Sequence, residues 1–521
     1  MAETPSTGQM GMKKWILATC ALFLLLAFSG KGQSGYEIKV NMKGSQDSAF
    51  YLAKYFFGQT VIVDSAKYIK KGQGVFKGSI DLDKGVYILA NQSRQRYIDF
   101  LVNEKQKFTI TGEFPNLVNT MASPNSQENE ELFTYSRFLT NKNIEFQKEQ
   151  HHQSGKNKLD SVKAMETLQV KMNEEIKKYD KEFMNKHKGT FVYDFLNLKN
   201  EKYLTDVPLA KNGRPDSVYQ YYYYKNHYFD GVDFKDDRII LTPFFKDRIT
   251  RYFESVIVQH PDTVIQELDK LLAQCKEGSL VYNTLLGHFT YKYETDKTMS
   301  FDKSGRTNSF EKVFVHLADN YITNGKAAGV YSDETVLKIK NRVNIIRNLL
   351  PGTKIPDLFA IDTASGRQVL NLGFDTTKSS KSASDLYARC SSKITPLYKT
   401  LYSLNAKYTI LVFWSVDCGH CQKDIPKLNE DLKELKGKID FKVFAVQTKR
   451  ELFDKWRQFI ISNKLDFINV FEPVPLNNLT ERFDINRTPV IYLLDKDKRI
   501  LGKNMSPEQL IEIIKDLESQ T

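Results

Sequence analysis

The run Tyr408–Trp414 (YTILVFW) restricts the fold of this chain more than any other segment. It is almost continuously apolar, without the alternation of a strand that shows one face to water. Such a run marks a strand covered on both faces, as in a parallel or mixed sheet flanked by helices. The pattern after it fits that reading: a helix over about 421–436, a strand over 440–446, a helix containing Trp456 and Phe459, a strand over 490–494 and a terminal helix over 507–517. Alternating strand and helix across 351–521 predicts an α/β domain. Residues 374–403, rich in Ser and Lys, interrupt the pattern and read as a surface insertion with a short helix.

The remaining two-thirds of the chain divides into three stretches. Residues 34–113 show short strands at close spacing, around 36–40, 49–57, 61–63, 75–76, 86–89, 97–102 and 108–110, punctuated by Gly44, Gly58, Gly72, Gly74, Gly78 and Gly85. That is the signature of a small β-sandwich, and it holds no titratable cluster. Residues 114–350 change to a helical period, clearest over 159–188, where Val162, Met165, Leu168, Met172, Ile176 and Tyr179 form one stripe. Similar patterns cover 244–258, 263–275, 310–321 and 335–350. The tyrosines at 221–224 and the group His227, Tyr228, Phe229 and Asp230 read as packing residues, and His151-His152 lacks further ligands for a metal.

Residues 1–33 read as an export signal. Lys13-Lys14 precedes the apolar run 15–28, which is too short to span a bilayer comfortably, and Ala27-Phe28-Ser29 offers small residues for cleavage. The polar stretch 1–11 fits no signal design and suggests a start at Met10 or Met12. Leu17-Ala18-Thr19-Cys20 loosely resembles a lipobox, but most of the apolar run follows the cysteine. The expected location is therefore the periplasm or cell envelope, with membrane association if the signal stays uncleaved. A net charge of +12 is spread along the chain without a dense basic block, so nucleic acid is not an expected partner.

Cys418-Gly419-His420-Cys421 follows the buried strand closely and opens a helix. A cysteine at a helix N-terminus meets free backbone N–H groups and the positive end of the dipole, both of which favour a thiolate. The second cysteine, one helical turn on, is placed to attack a mixed disulfide formed at the first. Cys418 is thus expected to attack and Cys421 to resolve. A structural zinc site wants a second cysteine pair, which the five cysteines do not supply, and covalent haem attachment wants His where Gln422 stands. No metal and no cofactor beyond the cysteine pair is expected.

The stretch 412–421, VFWSVDCGHC, resembles the active-site strand and turn of thioredoxin-fold proteins, including Trp414. Pro426 matches the kink proline of that fold's active-site helix, and Arg487-Thr488-Pro489-Val490 matches its cis-proline segment. The resemblance implies a cis peptide before Pro489 and a substrate chain paired to the backbone of Thr488. Residues 355–359 with 362–369 resemble the opening hairpin of the TlpA/ResA-like and peroxiredoxin-like branch. The layout as a whole resembles exported TlpA-like proteins of Gram-negative bacteria: a β-sandwich-like domain, an α-helical middle domain and a C-terminal α/β thioredoxin-like fold. One departure is that thioredoxins bury an Asp six positions before the first cysteine, whereas Val412 stands here. Asp417 and Asp424 are the nearby acids.

The resemblance implies a thiol–disulfide oxidoreductase that reduces disulfides of exported proteins, fed by an inner-membrane electron donor. The Gly419-His420 pair also occurs in protein disulfide isomerases, and a charged or dipolar His beside Cys418 favours the thiolate and a more oxidising disulfide. An oxidase or isomerase is the first alternative, and a binding or scaffold protein carrying a redox domain is the second. Ser415 stands where peroxiredoxins place Thr, which argues against a peroxidase. Cys275, on a helical stripe, and Cys390, in the insertion, are assigned no role.

Overall fold

A computed structural model describes residues 35–67, 70–153, 158–296, 299–301, 307–374, 380–474 and 476–519. The export-signal reading of 1–33 lies outside the described residues. The described residues form two compact units, one drawn from 35–198 with 241–243, the other from 199–240 with 244–519. The helical stretch read over 114–350 is therefore shared between them.

In the first unit, seven strands make two sheets: β1 (Tyr36–Lys43), β2 (Ala49–Phe56), β3 (Gln59–Lys67), β4 (Gln73–Gly78), β5 (Gly85–Ala90), β6 (Arg96–Val102) and β7 (Lys107–Glu113). The sheet orders are β4-β1-β7 and β3-β2-β5-β6. β1 alternates as its sequence does, burying Tyr36, Ile38, Val40 and Met42 and exposing Lys39, Asn41 and Lys43. The inward residues join Phe50, Leu52, Phe76, Leu89, Phe100, Phe108 and Ile110 in one core. The turn into β4 needs a glycine, because Gly72 has a φ of +73° and a Cβ there would lie 1.9 Å from the Met42 carbonyl oxygen.

Two long helices follow, Gln127–Gln153 and Lys158–Lys186. The sequence pattern predicts only the second. The first carries many Glu, Asn, Gln and Lys and is held by specific contacts. The buried Asn129 accepts from Leu101 N–H at 2.7 Å and donates to its carbonyl at 3.0 Å, and Phe138 stacks on Tyr179 at 3.7 Å.

The second unit begins with helices Ser217–Asn226, Phe245–Arg251, Pro261–Gln274, Leu280–Thr295, Glu311–Leu317 and Asp333–Arg347, with a hairpin of β8 (Met299–Phe301) and β9 (Thr307–Ser309). It then builds β10 (Phe359–Asp362), β11 (Tyr398–Thr400), β12 (Tyr408–Trp414), β13 (Phe441–Gln447), β14 (Ile468–Phe471), β15 (Val490–Leu494) and β16 (Ile500–Lys503). These form one seven-stranded sheet, ordered β11-β10-β14-β13-β12-β15-β16. β12 runs parallel to β13 and antiparallel to β15, and all seven of its residues are buried. Its two faces feed two cores. Ile410, Val412 and Trp414 meet Ile425, Leu428 and Leu510; Leu411 and Phe413 meet Leu349, Phe444, Phe483 and Tyr492.

Two expectations for this unit are corrected. Residues 363–369 form a helix rather than the second arm of a hairpin, because Asp362 accepts from Ser365 N–H at 2.8 Å and caps it. β10 instead pairs antiparallel with β11, from the end of the insertion, and with β14. Gly366 on that helix lets the backbone close on Phe453 and Phe471, whose rings would lie 2.5 and 2.8 Å from a Cβ. The insertion itself carries the helix Ser380–Ile394, and Cys390 sits on it, partly buried against the core, instead of in a loop.

Residues before 351 also pack against this sheet. Leu349 lies in its second core and Ile345 packs there. Arg342 forms a forked ion pair with Asp484, one arm at 2.7 Å, and Lys503 pairs with Glu311 with both side chains almost wholly buried.

A dithiol site at the end of the central strand

β12 delivers its last residue, Trp414, buried, against Phe459 at a ring distance of 5.7 Å. The chain then turns through 415–420 into the helix Cys421–Lys433. Ser415 carbonyl receives Cys418 N–H at 3.1 Å, and the Gln422 side chain donates to the Val416 carbonyl at 2.8 Å. Both bonds tie the turn to its own ends. Pro426 lies inside the helix, where it removes the N–H that would bond the Gln422 carbonyl.

The two thiols are free and occupy different environments. Cys418 is partly exposed; Cys421 is fully buried. Burial opposes ionisation of Cys418. Hydrogen bonds from the Cys421 thiol, the Thr488 side chain and the backbone N–H groups of Cys421 and His420 outweigh it, holding Cys418 below the ordinary thiol range. The Cys421 N–H lies 3.4 Å from the Cys418 sulfur. This is the helix N-terminus acting as an anion site. For Cys421, burial first and the hydrogen bond with Cys418 second push the thiol up to about 12.

The Thr488–Pro489 peptide is cis, and the Cys418 thiol donates to the Thr488 carbonyl at 3.2 Å. The segment before β15 thus faces the Cys418 thiol directly. Gly419 and His420 are exposed, and what reaches Cys418 from His420 is its backbone N–H. Val412 is buried between Ala445 and Ile491 on the neighbouring strands, so the position where thioredoxins bury an Asp is apolar here. Asp424 lies in the first turn of the helix.

Pattern reading missed the lysine beside the turn. Lys449 Nζ lies 2.6 Å from Asp417 Oδ2, and the Ser415 hydroxyl donates to Asp417 Oδ1 at 2.5 Å. No local signal identifies a lysine 32 positions away; only the parallel register of β12 and β13 brings it there. The other cysteines lie elsewhere: burial, reinforced by Asp237, pushes Cys275 up to about 12. Among the described residues, no group of three or more His, Cys, Asp and Glu could hold a metal ion.

Family models match three parts of the chain. Residues 36–151 match a domain of unknown function (DUF4369), residues 149–306 another (DUF5106), and residues 405–500 a thioredoxin-like family. A thioredoxin-like protein of Haemophilus influenzae is 32% identical over 92 residues, 18% of this chain and 51% of that protein. The chain thus spans about half the length of the curated relative it matches. Among solved structures, a domain of a possible thiol-disulfide isomerase from Cytophaga hutchinsonii is 31% identical, covers 33% of this chain and 94% of its own, and has a TM-score of 0.25. A thioredoxin-like protein from Bacteroides caccae is 17% identical, covers 60% of this chain and 99% of its own, with a TM-score of 0.31. The C-terminal part of the chain, with its central strand, CGHC turn and covering helices, is a thioredoxin-like domain.

Proposed function

We propose that this protein is an exported thiol–disulfide oxidoreductase that reduces disulfides of other exported proteins in the periplasm. The supporting observation is the asymmetry of the two thiols: Cys418 partly exposed and favoured as thiolate, Cys421 buried and held protonated. The Cys418 thiolate attacks a substrate disulfide, forming a mixed disulfide and releasing one substrate thiolate. Cys421 then loses its proton and attacks the Cys418 sulfur, releasing the second substrate thiol and leaving the Cys418–Cys421 disulfide. Two electrons pass to the substrate, and an inner-membrane donor returns them. Bonding of Cys418 into the mixed disulfide also removes the charge that helps hold Cys421 protonated. Thr488, beside Pro489, supplies the carbonyl to which a substrate backbone pairs. No further cofactor enters this cycle, and export rests on the pattern of residues 1–33.

A second reading, oxidase or isomerase, draws support from the stabilised Cys418 thiolate, because stabilising the reduced form makes the disulfide more oxidising. The test is the equilibrium potential of the pair against glutathione, read by thiol alkylation and mass shift. A value near about −270 mV supports the reductase, and one between about −180 and −120 mV supports the oxidase or isomerase instead.

A further inference from the structure

The loop after β13 returns to the active-site turn. Thr448 donates to the Trp414 carbonyl from its N–H at 2.9 Å and its hydroxyl at 3.2 Å, and the next residue, Lys449, pairs with Asp417 at 2.6 Å. Asp417 directly precedes Cys418, so its Cα lies about 3.8 Å from that of the residue whose sulfur must become negative to react. Like charges at such spacing disfavour each other. Lys449 first, and the Ser415 hydroxyl second, hold Asp417 below the usual carboxylate range, so it stays charged and needs a counterion. Cys418 is itself among the groups that favour the charged form of Lys449, after Asp417 and Glu451. Side chains of the pair are 48% and 36% exposed, so as a surface ion pair it contributes little to stability. What distinguishes it is its place beside the nucleophile.

We propose that Lys449 is a positioning residue for disulfide exchange, setting the reactivity of Cys418 from outside the CxxC by neutralising Asp417. The inference rests on reading Cys418 as the attacking thiol. Other ionisable groups on the segments that meet at the thiol are Cys421 and His420 on its turn, Lys423 and Asp424 at the start of the helix, Glu451 beyond Lys449, and Arg487 ahead of Pro489. Among these described residues it is Lys449 that bonds the Asp417 carboxylate.

The test is the pH profile of iodoacetamide alkylation of Cys418 in the reduced full-length protein, read by peptide mass. Lys449→Gln leaves Asp417 uncompensated, so the profile moves to higher pH by about 0.5 and the rate at pH 7 falls about three-fold. The loss shrinks at about 1 M salt, where the Debye length is about 3 Å. Lys449→Arg retains the wild-type profile. The double variant Asp417→Asn/Lys449→Gln returns to it, because both charges are gone; a merely structural lysine gives no such recovery. Fast alkylation of wild-type Cys418 with an unmoved profile in Lys449→Gln, or a double variant as slow as the single, overturns this inference alone. Wild-type Cys418 alkylated no faster than Cys421 overturns the attacking-thiol reading and the inference with it.

Discussion

The β4-β1-β7 sheet of the sandwich and the seven-stranded sheet solve the same burial problem differently. In β1 every second residue faces water, whereas in β12 none does. A sheet covered on one face has a wet side and no enclosed end. A sheet covered on both faces has a dry interior, and its chemistry is confined to the rim where strands end and helices begin. Cys418 occupies that rim, one turn from a buried strand and beside a helix N-terminus. Among the described residues, the sandwich has a comparable core but no helix end aimed at a reactive thiol.

The sharpest way to break this contrast is to remove the rim chemistry. Cys418→Ser is expected to abolish disulfide exchange, while Cys421→Ser still attacks and accumulates mixed disulfides with substrate on non-reducing gels. Trapping by Cys418→Ser in place of Cys421→Ser reverses the assignment of roles.

Next in size is the burial contrast itself. Leu411→Ala in β12 removes a side chain with no exposure and is expected to cost about 2–5 kcal/mol. Asn41→Ala in β1, exposed, should stay within about 0.5 kcal/mol. Denaturant unfolding of both variants checks this; similar costs would show that β1 is as tightly covered as β12.

A smaller effect lies inside the sandwich. Asp99 on β6 is pushed up to about 6, chiefly by burial, with Arg96 and Tyr55 opposing. The folded value lies above the unfolded one, so the favourable contribution is complete below about pH 4 and is lost as pH rises through 6. Asp99→Asn is therefore expected to stabilise the protein at pH 7 by on the order of 1–3 kcal/mol, with no gain at pH 4. Equal gains at both pH values would mean that the carboxylate is not desolvated. The experiment measures unfolding midpoints of both proteins across that range.

Legibility in the sequence followed the range of the interactions. The sandwich strands alternate or run apolar over a few residues, so their existence is local information. The helix Gln127–Gln153 is not, since its polar composition is anchored by Asn129 and by rings from a neighbouring helix. Asp362 is compatible with a turn or a cap, and only the folded chain shows it capping the helix Thr363–Val369. β14 and β16 have four residues each, too short for periodicity to register, and they gain their identity from strands already in place.

The sequence by itself determined the cysteine pair and its immediate setting. An apolar run, a CxxC and a helix start are consecutive, so backbone geometry alone places Cys418 at a helix N-terminus. Tertiary structure decided the rest of the site. Thr488 and Lys449 reach the cysteines through strand order and register, which depend on packing among residues distant in the chain. The difference between the two thiols was decided there as well. Both are the same residue type three positions apart, and only the core beneath the helix makes Cys421 dry and leaves Cys418 at the surface.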